Sequence, residues 1–230
     1  MSDEVVVTGS STGSLSVGMA AALARLTWAP VRLCPLSDLP DANWVPTVLV
    51  IEDVERAGGP LHSIRHAGRC VAVGPSGALP VLLPLAERGA FVLNAAAPFA
   101  ELVGLVDEKL RQVRSGRAPD PRSAEQLRRR VDEAAALRRL TSLEALVLED
   151  LMDGASTVEI AERTSRSVHT VRSHIKAVLS KLGVSSQVAA VGMAERSGAF
   201  TALDTARATF GVTRHFDPMR RTSGTYHQIW

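Results

Sequence analysis

Short apolar runs alternate with helix-like segments through the first half of the chain. The apolar runs are EVVVTG (4–9), VRLCPL (31–36), TVLVIE (47–52), CVAVG (70–74) and AFVLN (90–94). Helix-like segments, SLSVGMAAALARL (14–26) and PFAELVGLVDEKLRQV (98–113), accompany them. Apolar strands joined by helical crossovers are typical of a parallel sheet that is covered on both faces. The pattern therefore predicts an α/β domain with a five-stranded parallel sheet over residues 1–113.

The second half of the chain has helical periodicity and repeated helix caps. Capping boxes are predicted at Thr141 with Glu144 and at Ser156 with Glu159. Further caps and stops are Gly154, Ser167, Gly183, Ser185 or Ser186, and Gly198. Because caps satisfy the free backbone groups of helix ends, they mark four short helices. We expect a compact all-α domain over residues 140–198.

The segment between these regions, residues 114–139, is rich in arginine. It opens with RSGRAPDPRS (114–123), which is typical of a linker, and continues into a predicted helix over 123–140. The apolar stripe of that helix either pairs with a second copy or packs on its own domain. The extension 199–230 contains five of the nine aromatic residues. It either docks on a partner or DNA, or is a partly disordered end.

The predicted helix SVHTVRSHIKAVLSKLG (167–183) has two contrasting faces. One face repeats Val168, Val171, Ile175, Val178, Leu179 and Leu182. The opposite face carries His169, Arg172, Ser173, Lys176 and Ser180. Residues 165–182 contain four Lys or Arg and no acid, whereas 142–162 contain six acids and no Lys or Arg. A cationic helix that follows another helix after the short turn TSRS (164–167) predicts a helix-turn-helix that enters the major groove of DNA.

Residues 140–191 contain a series of landmark residues. They are LT at 140–141, Glu144, VL at 147–148, Gly154, EIA at 159–161, TV at 170–171, His174 and KLGV at 181–184. With these landmarks the segment resembles the LuxR/FixJ-type helix-turn-helix of bacterial transcription regulators. Ser142, Leu143 and Leu146 depart from residues that are common in the family. The resemblance implies a sequence-specific, double-stranded DNA-binding regulator without enzymatic activity. It also implies a homodimer on inverted half-sites, with RNA polymerase as a further partner.

The resemblance also assigns roles to individual residues. Arg172, Ser173 and Lys176 occupy positions of base and groove contacts, while Thr170, His174 and Lys181 occupy positions of backbone or structural contacts. The full predicted DNA-binding set is Arg166, Ser167, His169, Thr170, Arg172, Ser173, Lys176 and Lys181. The last helix of the family often pairs with its twin. Here it carries Val188, Val191 and Met193.

Such domains often follow a receiver, so the first domain is expected to be receiver-like, with a flavodoxin-like fold. Phosphoryl transfer in a receiver needs an acceptor carboxylate, further acids for Mg²⁺, a hydroxyl and a lysine. Glu52 has the register of the acceptor and Asp53 follows it, but the first strand ends without acids. Gly74 and Asn94 stand where the hydroxyl and the lysine belong. We therefore predict a degenerate pseudo-receiver that is independent of phosphorylation and holds no metal or cofactor.

Two alternatives concern the same strand ends. VVVTGSSTGSLSVG (5–18) resembles the dinucleotide-binding turn of short-chain dehydrogenases through Gly9 and Gly13. Leu15 replaces its last glycine, and no lysine follows Tyr226 to complete the catalytic pair, so this alternative is weak. A regulator whose sheet binds a small molecule at the carboxyl ends of its strands is the stronger alternative.

Cysteine content and hydrophobic run lengths indicate the compartment. Cys34 and Cys70 form no CxxC pair, which favours a reducing cytoplasm. The start MSDEVVV lacks the basic region of a signal peptide, and no apolar run is long enough for a membrane helix. We expect a cytoplasmic protein without membrane contact.

Overall fold

The computed structural model describes residues 4–9, 13–39, 45–53, 61, 64 and 66–196. The predicted extension 199–230 lies outside the described residues. The chain divides into two compact units, and the division falls between Arg128 and Arg129. The first unit is an α/β unit and the second is helical.

The α/β unit contains the five strands predicted from the apolar runs. They are β1 (Val5–Gly9), β2 (Val31–Pro35), β3 (Thr47–Val50), β4 (Cys70–Gly74) and β5 (Phe91–Asn94). All neighbouring strands are parallel, and their order is β2-β1-β3-β4-β5. This is the flavodoxin-like order, in which the sheet grows to both sides of β1. The predicted receiver-like fold class is confirmed.

Helices cover both faces of this sheet. The unit contains α1 (Ser14–Arg25), α2 (Leu79–Glu87) and α3 (Phe99–Arg114). Side chains of α1 and α3 pack with alternate strand residues, among them Val7, Val50 and Val73, in one buried cluster. A Cβ at Gly74 would point to the opposite face of the sheet, where it would lie against Leu82 of α2. The connections after β2 and β3 show no α-helix among their described residues.

The helical unit is built around two adjoining cores. Its helices are α5 (Ser142–Met152), α6 (Thr157–Arg163), α7 (Val168–Leu182) and α8 (Gln187–Arg196). Another helix, α4 (Pro121–Leu137), crosses the division between the units and gives Ala136 and Leu137 to the helical core. The predicted four-helix fold is confirmed, and the end of α4 packs on it. Of the stripe predicted for the linker helix, Leu137 packs in this core, and pairing of the helix with a second copy stays a prediction.

Most predicted helix caps are present. Both capping boxes form, with reciprocal hydrogen bonds between Thr141 and Glu144 and between Ser156 and Glu159. Gly183 ends α7 in the left-handed region with φ of 67°. Of the two serines proposed to start the last helix, Ser186 accepts a hydrogen bond from the Ala189 N–H at 3.1 Å. The predicted end at Gly198 lies outside the described residues.

Neither described cysteine is in a disulfide bond. Cys34 and Cys70 are buried, and burial raises the pKa of both thiols, that of Cys70 to about 12. Among the described helices, none alone is long and apolar enough to cross a membrane, although α7 and α8 together pass by length and composition with a bend of 56°. The described residues also contain no group of three or more His, Cys, Asp or Glu that could hold a metal ion.

Candidate nucleic-acid interface

The turn between α6 and α7 is closed by backbone hydrogen bonds. The Arg166 N–H donates to the Ala161 carbonyl at 2.9 Å, and the Ser165 N–H donates to the Glu162 carbonyl at 3.2 Å. This pair of bonds forms a Schellman motif, in which one residue adopts a left-handed conformation. Ser165 is that residue, with φ of 50°. The turn therefore fixes the direction in which α7 leaves α6.

The first turn of α7 is held by two hydroxyl groups. The Ser167 Oγ accepts from the Thr170 N–H at 3.1 Å and lies 2.8 Å from the Thr170 Oγ1. These contacts satisfy an otherwise free donor at the start of the helix. Ser167 and Thr170, both predicted DNA contacts, thus also stabilise the helix that carries the other contacts.

Burial divides α7 into the two faces predicted from its sequence. Val171, Ile175, Val178 and Leu182 are buried, and Val168 and Leu179 are partly buried against the same cores. The opposite face exposes His169, Arg172, Ser173, Lys176 and Ser180. Because the inner face is anchored in two cores, the outer face is presented on a rigid helix. The spacing of three and four residues places its polar side chains in one row.

The cations around α7 fall into two groups. Arg163 pairs with Asp150 of α5 at 2.7 Å, and Lys181 pairs with Glu144 at 2.6 Å. In contrast, the side chains of Arg166, Arg172 and Lys176 form no ion pair or hydrogen bond within the described part of the chain. The first group joins helices to one another. The second group presents positive charge to the surroundings.

The ion pair of Lys181 is part of a network at the start of α5. Glu144 is buried, and its Oε2 accepts from the Thr141 N–H at 2.7 Å and from the Lys181 Nζ. The Lys181 Nζ also donates to the Arg139 carbonyl at 3.4 Å. Burial raises the pKa of Glu144, but the hydrogen bonds from Lys181 and Thr141 outweigh burial and lower its pKa overall. The predicted DNA contact Lys181 is therefore held against the start of α5.

Ser173 makes a local contact, and His174 differs from His169 in burial. The Ser173 Oγ donates to the His169 carbonyl at 3.1 Å, one turn earlier in the helix. His174 is partly buried, unlike the exposed His169. A hydroxyl that bonds to the preceding turn still has its lone pairs for another donor. Ser173 can therefore stay in this rotamer and accept a hydrogen bond from a ligand.

The last helix is fixed to the end of α4 by charged groups. The Arg130 guanidinium donates to the Arg196 carbonyl at 2.9 Å, and the Arg196 guanidinium pairs with Glu133 at 3.1 Å. Met193 is buried in the helical core, whereas Val188 is 82% exposed. Of the apolar residues predicted to pair with a second copy, Met193 is thus used within the unit. Val188 remains on its surface.

The polar groups at the carboxyl ends of the strands make internal contacts. The Glu52 Oε1 accepts from the Ser16 N–H at 2.9 Å and from the Ser16 hydroxyl at 3.2 Å. Ser16 is the third residue of α1, whose N-cap residue, Gly13, has no side chain to cap it. The carboxylate of Glu52, which follows β3, therefore caps the start of α1 in place of an N-cap side chain. A side chain at Gly13 would overlap this carboxylate.

The ends of β5, β4 and β1 are held by local contacts or by packing. Asn94 is buried, and its Oδ1 accepts from the Ala96 N–H at 3.0 Å in the turn after β5. Gly74 packs against Leu82 and Ala78, and a Cβ there would lie 3.1 Å and 3.2 Å from their side chains. Thr8 is fully buried opposite Cys34 in the β1–β2 register. Asp53, which follows Glu52, is exposed.

Comparison with known proteins identifies the helical unit. Residues 138–194 match the family model "Bacterial regulatory proteins, luxR family", which covers about a quarter of the chain. No curated protein sequence matches the chain. The C-terminal unit therefore contains a LuxR-type helix-turn-helix domain, as the sequence predicts. It follows a receiver-like sheet in the same chain.

Several solved structures are similar over most of the chain. The response regulator ChrA of a heme-sensing two-component system is 20% identical, with 86% of this chain and 98% of that chain covered and a TM-score of 0.36. RcsB of Salmonella typhimurium is 20% identical, with 84% and 98% covered and a TM-score of 0.36. FixJ of B. japonicum is 17% identical, with 87% and 100% covered and a TM-score of 0.35.

Proposed function

We propose that the protein is a sequence-specific DNA-binding transcription regulator that inserts the outer face of α7 into the major groove. The observation that carries this proposal is the pair Arg172 and Lys176, four residues apart on a rigid helix. Both are exposed and form no ion pair within the described part of the chain. Arg and Lys side chains in the major groove can donate to the O6 and N7 atoms of guanine.

The neighbouring side chains supply the rest of the interface in this proposal. Arg166, Ser167, His169, Thr170 and Ser173 surround the N-terminal half of the same face and contact phosphates and the groove. Lys181 acts mainly through Glu144, by holding the end of α7 against α5. Base edges are thus contacted by the residues without internal partners, while paired residues keep the helix in place.

We further propose that two copies bind inverted half-sites. One domain of this size makes few base contacts, and helix-turn-helix proteins gain specificity by pairing two recognition helices. Val188 is 82% exposed on α8, the helix that we expect to pair with its counterpart in a second copy, so its side chain is available for that contact. RNA polymerase is the further partner that we expect at a promoter.

We also propose that regulation does not use phosphorylation of the α/β unit. Glu52, which has the acceptor register, already accepts two hydrogen bonds from Ser16. Asn94, at the position expected for lysine, accepts from the turn that follows its own strand. The carboxylate at the start of α1 also disfavours a dinucleotide phosphate there, because two anions would share one helix end. These contacts support a structural role for the strand ends.

DNA binding can be tested by fluorescence anisotropy on a footprinted promoter fragment. Arg172→Ala and Lys176→Ala should each weaken specific binding by about 1–3 kcal/mol. Arg129→Ala, which removes an exposed arginine of α4, is the matched control and should leave binding nearly unchanged. If both α7 variants bind the promoter as tightly as the unmodified protein, the assignment of this face is wrong.

Phosphorylation can be tested by incubating the full chain with acetyl phosphate and Mg²⁺ and measuring its intact mass. We expect no added phosphoryl group. A stable mass increase that is absent from a Glu52→Gln or an Asp53→Asn variant would contradict the proposed independence.

A further inference from the structure

A cavity of about 640 Å³ lies beside β5, the last strand in the order of the sheet. Residues 89–93, which include most of this strand, form part of its lining. Residues 117–121 and the first two turns of α4 form another part. All of its described lining residues lie before Arg129 and therefore belong to the α/β unit. Its volume falls within the range of small-molecule sites.

The start of α4, which lines the cavity, is anchored within the same unit. Leu127 is buried, with 2% of its surface exposed. The guanidinium of Arg128 donates to the Glu87 Oε1 at 2.6 Å. The Asp120 Oδ1 accepts from the Arg122 N–H at 2.9 Å in the first turn of the helix. The cavity is therefore bounded on this side by an anchored helix.

The main chain of β5 alternates between its two edges. The Ala95 N–H donates to the Gly74 carbonyl of β4 at 2.9 Å, which fixes the phase of this alternation. Every second residue of a parallel strand bonds to one neighbour, so Phe91 and Leu93 bond to β4. The N–H and C=O groups of Val92 therefore point away from β4, to the edge beside the cavity.

Val92 offers a buried donor and a buried acceptor at this edge. Only 7% of its surface is exposed. Within the described part of the chain, no backbone hydrogen bond joins Val92 to the linker or to α4. Buried N–H and C=O groups nearly always have a hydrogen-bond partner. The edge of a strand presents these two groups at the spacing that an extended peptide complements.

The side chains around this edge suit a molecule with an apolar body and charged ends. Most lining residues are alanine, glycine, proline or larger apolar residues such as Leu127. The exposed charged residues of the lining have both signs, because Arg117 occurs together with Glu87 and Asp120. A free peptide carries a carboxylate at one end and an ammonium group at the other. Its ends can therefore match both signs of charge.

We propose that this cavity binds a short free peptide in an extended conformation. One of its residues donates to the Val92 carbonyl and accepts from the Val92 N–H, which adds a short strand to the sheet. Recognition is through the main chain, so small apolar side chains of different kinds are accepted. The linker and α4 cover this edge, which favours a short peptide over the sheet of a second copy. The site goes beyond the proposed DNA-binding function and does not depend on it.

Titration of the full chain with trialanine, followed by NMR of the backbone amides, tests the proposal. The Val92 amide proton should shift in a saturable way. An analogue of trialanine with an ester in place of its first amide lacks the N–H that donates to Val92, and it should bind about tenfold more weakly. Val92→Ala keeps the main chain and should keep the binding.

A second pair of variants tests the location of the site. Ala124→Trp places a large ring at a half-buried position of the lining and should abolish peptide binding. Gln126→Trp is the matched control, because it adds the same ring to α4 at an exposed position outside the lining and should change nothing. Melting curves of each variant establish that it is folded.

Three outcomes would overturn the proposal. The first is the absence of a saturable shift at Val92 with trialanine and with trivaline as a second probe. The second is binding that the ester analogue or Ala124→Trp leaves unchanged. The third is a shift at Val92 that depends on protein concentration without peptide and disappears in Ala124→Trp, which would assign the edge to a second copy. None of these outcomes depends on binding of DNA.

Discussion

The carboxyl end of the sheet and the outer face of α7 use their polar residues in opposite ways. At the sheet, Glu52 caps α1, and Asn94 caps the turn after its own strand. On α7, Arg172 and Lys176 are exposed and have no ion-pair partner within the described residues. Each region is where its fold usually carries function. Only the second keeps its charged groups available for another molecule.

This difference shows that position in a fold is weaker evidence of function than the contacts of a side chain. The Glu52 carboxylate accepts two hydrogen bonds at a helix start, and a reaction at its Oε1 would break them. A surface arginine that has no protein partner needs to release only bound water before it contacts another molecule. The same criterion separates cations within the helical unit, where Lys181 stabilises the fold and Arg172 is presented outward.

The largest expected effect on stability comes from removing Glu144. Glu144→Ala breaks the capping box of α5 and leaves Lys181 without its carboxylate. Lys181 is 36% exposed, so water compensates part of the loss. We expect the free energy of unfolding of the helical unit to fall by about 2 kcal/mol. Hydrogen exchange followed by mass spectrometry should show the loss in peptides of α5 and α7, and unchanged protection of β3 and β4.

Glu144→Gln is the matched control for charge, because its amide oxygen can still accept from Thr141. The folded pKa of Glu144 is lowered from 4.5, so its charge stabilises the folded state above that pH. This contribution is lost as the pH falls through the folded value. The stability difference between the unmodified chain and Glu144→Gln should therefore be largest near neutral pH and shrink below about 4.5. A difference that stays constant or grows in acid contradicts the assigned ion pair.

The next effect tests whether Glu52 is a helix cap. Glu52→Ala should lower the stability of the α/β unit by about 1 kcal/mol, because the Ser16 N–H loses its acceptor. Gly13→Ser alone should also destabilise the unit, since a Cβ there overlaps the carboxylate. In the Glu52→Ala background, the same serine should stabilise the unit by providing a local cap. Hydrogen exchange of α1 peptides in the four chains measures this coupling.

The reversal of sign at Gly13 distinguishes capping from a general effect of charge. If Gly13→Ser has the same effect in both backgrounds, Glu52 and the start of α1 are not coupled as the structure indicates. DNA affinity should be nearly equal in all four chains if the strand ends have only a structural role. A large change in affinity would instead show that this edge controls the helical unit.

The smallest effect concerns the turn before α7. Ser165 has φ of 50°, where glycine avoids the strain of a Cβ. Ser165→Gly should raise the stability of the helical unit by about 0.5 kcal/mol, because relief of strain exceeds the entropy cost of glycine. Ser180→Gly, at a right-handed helical position in the last turn of α7, is the control and should lower stability by about 0.5 kcal/mol. If both glycines destabilise the unit, the left-handed turn is not strained in solution.

Local patterns were sufficient to predict most of the fold. The five strands and the start of α5, α6 and α7 follow from apolar runs and from serine or threonine caps, whose effects act within about four residues. The two faces of α7 follow in the same way from helical periodicity. The LuxR-type domain was predicted from its landmarks, and the family match confirms it. The roles of individual α7 residues in DNA binding stay predictions.

Contacts between distant residues could not be predicted from these patterns. Glu52 and Ser16 are 36 positions apart, and Lys181 and Glu144 are 37 apart. The sequence shows that Glu52 has the register of an acceptor, but not that its carboxylate reaches the start of α1. The uncapped Gly13 was a usable indication, because a helix start without a local cap needs an acceptor from elsewhere.

The sequence by itself determined the parallel sheet, the helix-turn-helix and the segregation of charge onto α7, because periodicity and caps are local properties. Only the tertiary structure decided which charged groups are used internally. It joined Glu52 to α1 and Lys181 to Glu144. A side chain acquires such a role when folding brings a partner within hydrogen-bond distance, and the chain packing that does so is not encoded in any short segment.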